Sequence, residues 1–201
     1  NRPLTKANLL EYLRDRLRNS IIDNLLTFTV AEWQVGRDEI LDKIESTFPA
    51  DQPLVVRSSA IDEEHLCSSL AGYYHTESGV LAGDHASLVQ GISRVTDSYS
   101  RDGRVPCPED QVIVQPQIQG VISSGVVLTR ETRANAPYYV INYDSITGRT
   151  DTVTRGLKGG ALRVARWQEA TMLPSPWDSL LFAVQEIERL FQPETLAIEF
   201  G

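Results

Sequence analysis

Apolar residues recur three and four positions apart over 6–19, where Leu9, Leu10, Leu13 and Leu17 alternate with Arg and Glu. This spacing predicts an amphipathic helix with Thr5 near its N-cap. The β-branched and aromatic run LLTFTV (25–30) predicts a strand, and RDEILDKIEST (37–47) a second helix that stops before Pro49. Residues 54–57 read as a short apolar strand ending on a charge, Arg57, and 70–80 mix turn and strand signals. A helix is predicted over 84–99, with Leu88, Val89, Ile92 and Val95 on one side. The stretch 103–110 holds Pro106 and Pro108 and reads as a loop. Three β-rich segments follow at 111–117, 124–129 and 137–143. Then come a polar, loop-like stretch over 148–160 with a candidate strand at 150–154, an alternating strand at 162–167, a helix at 176–191 with Pro176 in its first turn, and a closing strand TLAIEF (195–200).

Helices and strands mix in the first half, and mainly antiparallel-looking strands with one helix fill the second. This order predicts an α+β fold with two lobes, 1–105 and 111–201, hinged at the 103–110 loop, and a ligand cleft between them. No internal repeat or low-complexity tract interrupts it.

The composition narrows the function. Of 201 residues, 41% are hydrophobic and 23% charged, the balance of an ordinary globular protein. The formal net charge of −8 argues against a chain held on nucleic acid or anionic lipid by bulk charge. A local cluster of donors can still bind a small anion. Cys67 and Cys107 have no metal-ligand spacing and no disulfide framework, which fits a reducing compartment. No apolar run approaches transmembrane length and no signal-peptide core is present, so the sequence reads as cytoplasmic.

Four places could carry chemistry. Arg57 ends a strand, and its planar fork of donors matches phosphate oxygens; a surface arginine paired with Asp62 or Glu63 is the other reading. The small residues of Ser69-Leu-Ala-Gly72, running on to His75 and Thr76, would let backbone N–H groups approach an anion, or would form a plain turn. Lys6 opens a helix, where a cation is unfavourable to the dipole. Glu199 sits in an apolar strand, where a carboxylate needs a polar cleft, a partner or a magnesium ion; a solvent-facing strand edge is the alternative. Neither GxxxxGK[ST] nor GxGxxG occurs, and His65, His75 and His85 do not build a zinc site. Trp33, Trp167 and Trp177 read as core or lobe-packing residues.

In chain order, VVRSSA (55–60) with LAGYYHT (70–76), TKANL (5–9), VIVQPQ (112–117) with SGVVLTR (124–130), and LAIEF (196–200) resemble segments of the phosphoenolpyruvate synthase and pyruvate phosphate dikinase family. These are its VRSSA…FAGxxxT, GGKxxNL, VQxM…SGVxFTRDP and DIEF segments. The matches span most of the chain. The residues INYD (141–144) leading to GRTDTVT (148–154) are most similar to the L-glutamine kinase branch. The resemblance implies an ATP-grasp-like domain with a nucleotide cleft between two lobes of mixed and antiparallel sheet. It implies that Arg57 and Lys6 act on ATP phosphates as catalytic cations, that Gly72 to Thr76 cover them, that Gln115, Gln117 and Ile118 lie beside the adenine, and that Glu199 ligates magnesium.

The implied function is ATP- and magnesium-dependent phosphorylation of a histidine on a separate domain, for transfer to a small acceptor such as L-glutamine. The partners are then the phosphohistidine and acceptor domains of a parent protein, with no nucleic acid or membrane. Three departures stand out: Leu4-Thr5 replace the double glycine, Ala197 replaces the aspartate of DIEF, and the sequence stops two residues after Glu199. No histidine lies in the family's TxGGxxSHxA context, so the resemblance implies a piece of a larger kinase. The alternative is a non-catalytic regulatory or docking domain that kept the fold, which the missing acid at Ala197 favours.

Overall fold

The computed structural model describes residues 5–61, 73–131, 134–147, 159–191 and 195–201. They form two units, one of Asn1–Asp15 and Ile22–Gln117, the other of Arg16–Ile21 and Ile118–Gly201. The fold is α+β, with one four-stranded antiparallel sheet in each unit. No helix among the described residues is long and apolar enough to cross a membrane.

The first unit runs α1 (Lys6–Arg14), β1 (Leu26–Thr29), α2 (Val30–Val35), α3 (Arg37–Thr47), β2 (Pro53–Ser59), β3 (Thr76–Leu81), α4 (His85–Ser98) and β4 (Gln111–Pro116). Its sheet has the order β1-β4-β2-β3. Alternation sends Phe28, Leu54, Val56, Val112 and Val114 to one face, where Ile40, Ile44, Leu88, Ile92 and Val95 from α3 and α4 cover them. α1 packs Ala7 and Leu10 on the other face, against Ile113, Leu25 and Ile22.

The helix starts follow local chemistry. Asp84 caps α4 by accepting from the Ser87 N–H, and Thr5 caps α1 by accepting from Asn8. α2 is absent from the sequence reading, yet its start carries a signal. Thr29 and Glu32 form a reciprocal capping box that turns the strand into a helix at Val30. Within β2 the pairing with β3 shifts between Leu54 and Val55, and Gly79 on β3 takes φ +78°, a conformation open to glycine at little cost.

The expected division at 105 and 111 differs from where the chain divides. β4 pairs with both β1 and β2, so the 103–110 loop lies within the first unit, which ends after Gln117. The helix expected over 6–19 stops at Arg14. Residues 16–21 belong to the second unit, where the Glu186 carboxylate accepts from the Arg18 N–H at 3.0 Å and the Asn19 N–H at 2.9 Å.

The second unit runs β5 (Ser124–Leu128), β6 (Tyr138–Asp144), β7 (Gly160–Ala165), α5 (Trp177–Leu190) and β8 (Ala197–Phe200), with sheet order β7-β6-β5-β8. α5 lays Leu181 and Val184 over Val127, Tyr139, Ile141 and Val164. Gly125 lies opposite Tyr143, and a Cβ there would meet the Asn142 carbonyl oxygen at 2.0 Å, so only glycine permits this strand approach. The candidate strand at 150–154 lies outside the described residues.

The Arg18 and Asn19 N–H groups hold the Glu186 carboxyl below its ordinary pKa of 4.5. A carboxylate with a depressed folded pKa stabilises above its unfolded value, and that stabilisation is lost as pH falls through the folded one. Amide hydrogen exchange should therefore show Asn19 and Arg18 protected at neutral pH and losing protection only in acid below the ordinary carboxylate range. Glu186→Gln should weaken protection at neutral pH and change little in acid, where the wild-type carboxyl is already neutral. Protection independent of pH would mean that another contact holds this segment.

Candidate functional site

β2 extends two residues past Arg57, so this arginine lies within a strand and not at its end. The register sets Arg57 opposite Thr76 on one side and Ile113 on the other, and sets Val55 between Ser78 and Gln115. Paired residues in a sheet point to the same face. Arg57, Thr76, Ser78 and Gln115 therefore share the face opposite Leu54 and Val56, whose side chains are fully buried against the helices. The structure thus gathers three of the predicted phosphate and adenine residues, Arg57, Thr76 and Gln115, on one sheet face.

The start of α1 is tied to the same strand. The buried Ala7 N–H donates to Ser59 Oγ at 2.9 Å, and Thr5 Oγ1 donates to Gln111 Oε1 at 2.5 Å. Lys6, the first helical residue and half-buried, is fixed between these two anchors. The Ser59 N–H in turn donates to the Tyr99 hydroxyl, which donates to the Gln111 carbonyl. The end of β2, the start of β4 and the first turn of α1 form one hydrogen-bonded corner.

Gln117 follows β4. Its N–H donates to the Pro53 carbonyl at 2.8 Å, while its Oε1 is buried without a hydrogen-bond partner among the described residues. A buried acceptor left unmatched costs stability unless something supplies a donor. No pattern in the sequence marks this orphan; it depends on how deeply the side chain is enclosed.

Gly72 lies outside the described residues, as do His65, Cys67 and both proposed partners of Arg57, Asp62 and Glu63. Ile61, Tyr73 and His75 each make a long-range hydrogen bond. The Ile61 N–H donates to Asp110 Oδ1 at 3.0 Å, Arg101 donates to the Tyr73 carbonyl at 2.7 Å, and the His75 N–H donates to Ser98 Oγ at 3.1 Å. Arg104 lies over the rings of Tyr74 and Tyr99 and makes a two-pronged bond to Asp110 at 2.6 and 2.9 Å. None of Arg101, Arg104 or Asp110 stands out in the sequence, because their contacts with Tyr73, Tyr74 and Ile61 reach across 28 to 49 positions.

In the second unit, β8 alternates as its sequence predicts. Ile198 and Phe200 pack toward α5, while Ala197 and Glu199 occupy the opposite, solvent-exposed face. Ile118, 45% exposed, lines a depression of about 310 Å³ with Trp177, Leu180 and Phe200, on the α5 side of the sheet. Ile118 and Glu199 are thus on opposite sides of their own sheet.

No group of three or more His, Cys, Asp or Glu among the described residues could hold a metal. Glu199 alone still fits a hard cation such as magnesium, which keeps several waters and binds through one or two carboxylates plus substrate phosphates. His75 bonds Glu77 at 2.9 Å and His85 lies 3.4 Å from Glu45. Glu109, accepting from the Cys107 thiol, raises its pKa and keeps it protonated. Trp33 is buried and Trp177 packs beneath its sheet, while Trp167 is 71% exposed beside Tyr138, so of the core and lobe-packing roles expected for it the core one does not hold.

No protein-family model matches the chain, and no curated protein matches it. Among solved structures it is similar to D-alanyl-alanine synthetase A from Vibrio cholerae O1 biovar eltor str. N16961. The TM-score is 0.46 and the identity 10%, over 96% of this chain and 49% of that one. The chain spans about half the length of that protein, and a likeness of this degree assigns no activity to it.

Proposed function

We propose that the chain is an ATP-grasp-like nucleotide-binding domain of a phosphoenolpyruvate-synthase-like phosphotransferase, using ATP and magnesium to phosphorylate a histidine on a separate domain. The observation that carries this reading is the shared sheet face of Arg57, Thr76 and Gln115, with the Lys6 turn anchored to the same strand through Ser59. Arg57 would offer a planar fork of donors to phosphate oxygens, with Thr76 opposite it in the strand register. Lys6 adds a second cation. The orphaned Gln117 Oε1 is an acceptor suited to the exocyclic amine of adenine. Magnesium, when bound, would neutralise phosphate charge, and Glu199 would hold it. The chain's own contribution is then positioning and electrostatic stabilisation of the transferred group. The accepting histidine belongs to another domain, with L-glutamine as the final acceptor in the branch the sequence resembles most. A domain that docks without turnover is the second reading, and Ala197, exposed beside Glu199 where an acid would stand, favours it.

Calorimetric titration of the chain with ATP and magnesium should show saturable binding. Arg57→Ala should weaken ATP by about 1.5–3 kcal/mol, roughly 10- to 160-fold, because a charge-assisted contact is lost. It should leave adenosine binding unchanged. Equal losses for both ligands would make Arg57 a structural residue, and absence of ATP binding by the unsubstituted chain would overturn the reading.

A further inference from the structure

We propose that Asn142 belongs to the same metal–phosphate site as Glu199, its amide oxygen bonding a water carried by the divalent ion. The inference rests on the nucleotide reading above. Its basis is strand register: Val126 on β5 pairs with Glu199 of β8 on one side and with Asn142 of β6 on the other. The three residues form one row across the face of the sheet that α5 leaves open.

The neighbouring positions narrow the choice. The next row along the strands holds Ala197, Leu128, Val140 and, on β7, Arg163, none of which is a cation ligand. On the other side of the Asn142 row, Asp144 is buried, and its carboxylate accepts from the Ile146 and Thr147 N–H groups at 2.9 and 3.1 Å and from the Thr147 hydroxyl. That acid is committed to its turn. Asn142, half-exposed, is the polar oxygen donor in line with Glu199.

Distance sets the manner of binding. Adjacent strands lie about 4.8 Å apart, so two spacings put the Asn142 and Glu199 backbones about 10 Å apart. With metal–oxygen bonds of about 2.1 Å, both side chains cannot comfortably ligate one magnesium across Val126. An ion held directly by Glu199 and still carrying water can meet the Asn142 amide through that water. A neutral amide here would orient the hydrated ion in a site where Ala197 leaves a single carboxylate on β8.

Manganese serves as the probe, with ATP, on the full 201-residue chain. Paramagnetic broadening should reach the amides of Val126, Asn142 and Glu199 together. Asn142→Ala should weaken manganese-dependent ATP binding by about tenfold, the usual loss for an outer partner of a metal. It should not change ATP binding measured in EDTA. Asn142→Asp, which keeps the shape and adds charge, should bind the metal more tightly than the unsubstituted chain. If Glu199→Gln weakens manganese–ATP while Asn142→Ala does not, and broadening spares β6, the role of Asn142 is overturned and the nucleotide reading stands. If the unsubstituted chain binds neither ATP nor manganese–ATP, both fall.

Discussion

Asp110→Ala should destabilise the chain by about 3–5 kcal/mol, the cost of removing one partner of a buried ion pair. The Asp110 side chain is fully buried and that of Arg104 is 19% exposed. The carboxylate accepts both arms of Arg104 and also the N–H groups of Cys107 at 2.7 Å and Ile61 at 3.0 Å. Without it, a guanidinium packed over two tyrosine rings loses the buried carboxylate it is bonded to, and two N–H groups lose their acceptor. Urea unfolding followed by intrinsic fluorescence should show the lower midpoint. The double variant Arg104→Met/Asp110→Leu should lose less than Asp110→Ala alone, since it leaves no unpaired charge. A loss under about 1 kcal/mol for Asp110→Ala would mean that the pair behaves as an exposed one. Because Asp110 holds Ile61 and Arg104 covers Tyr74, the same variant should disturb the placement of both flanks of residues 62–72, visible as faster exchange at the Ile61 and His75 amides.

In the second unit the corresponding loss should follow Glu188→Ala, at about 3 kcal/mol. Glu188 is 7% exposed. It accepts from Tyr139 Oη at 2.9 Å and from Arg166 at 2.6 Å, and Arg166 also donates to the Thr129 carbonyl and lies 4.7 Å over the Tyr139 ring. One carboxylate therefore joins α5, β6, the end of β5 and the turn after β7. Burial, with the bond to Glu188 adding to it, pushes the Tyr139 phenol from its ordinary 10.0 up to about 12. A raised tyrosine pKa contributes stability that is full below the unfolded value and lost as pH rises through the folded one. Alkaline unfolding should thus be sensitive to Tyr139 between pH 10 and about 12. Glu188→Gln should lower the pH at which tyrosinate absorbance of Tyr139 develops, because the nearby negative charge is gone. An unchanged tyrosinate titration would show that burial alone sets the phenol.

The predicted site was legible in part. The sequence marks Arg57, Thr76 and Gln115 separately, and strand register places them on a common face. Arg57 itself was expected to terminate its strand, since Arg-Ser-Ser looks like the start of a loop. Pairing with Val112 and Gln111 carries the strand on to Ser59, and partners from a distant segment are invisible to a local pattern. The apolar and exposed alternation of LAIEF correctly put Ala197 and Glu199 on one side. Gln117 was named without any sign that its oxygen would be left unmatched, and Asn142 acquires meaning only through Val126.

The sequence by itself determined which segments become helices and strands wherever a segment's own pattern buries one of its faces. α3 runs over the expected residues, α4 begins after its Asp84 cap, and α5 and the later strands fall within one or two residues of their predicted ends. Spacing and side-chain capping are local properties, so they can be read locally. The tertiary structure alone decided where α1 stops, because residues 16–21 leave the helix and Arg18 and Asn19 give their N–H groups to Glu186, more than 160 positions away. It also decided that the 103–110 loop lies inside the first unit, because β4 inserts between β1 and β2 and Asp110 pairs with Arg104 and Ile61. These outcomes depend on which distant groups satisfy one another's hydrogen bonds and charges, and that pairing exists only once the chain has folded.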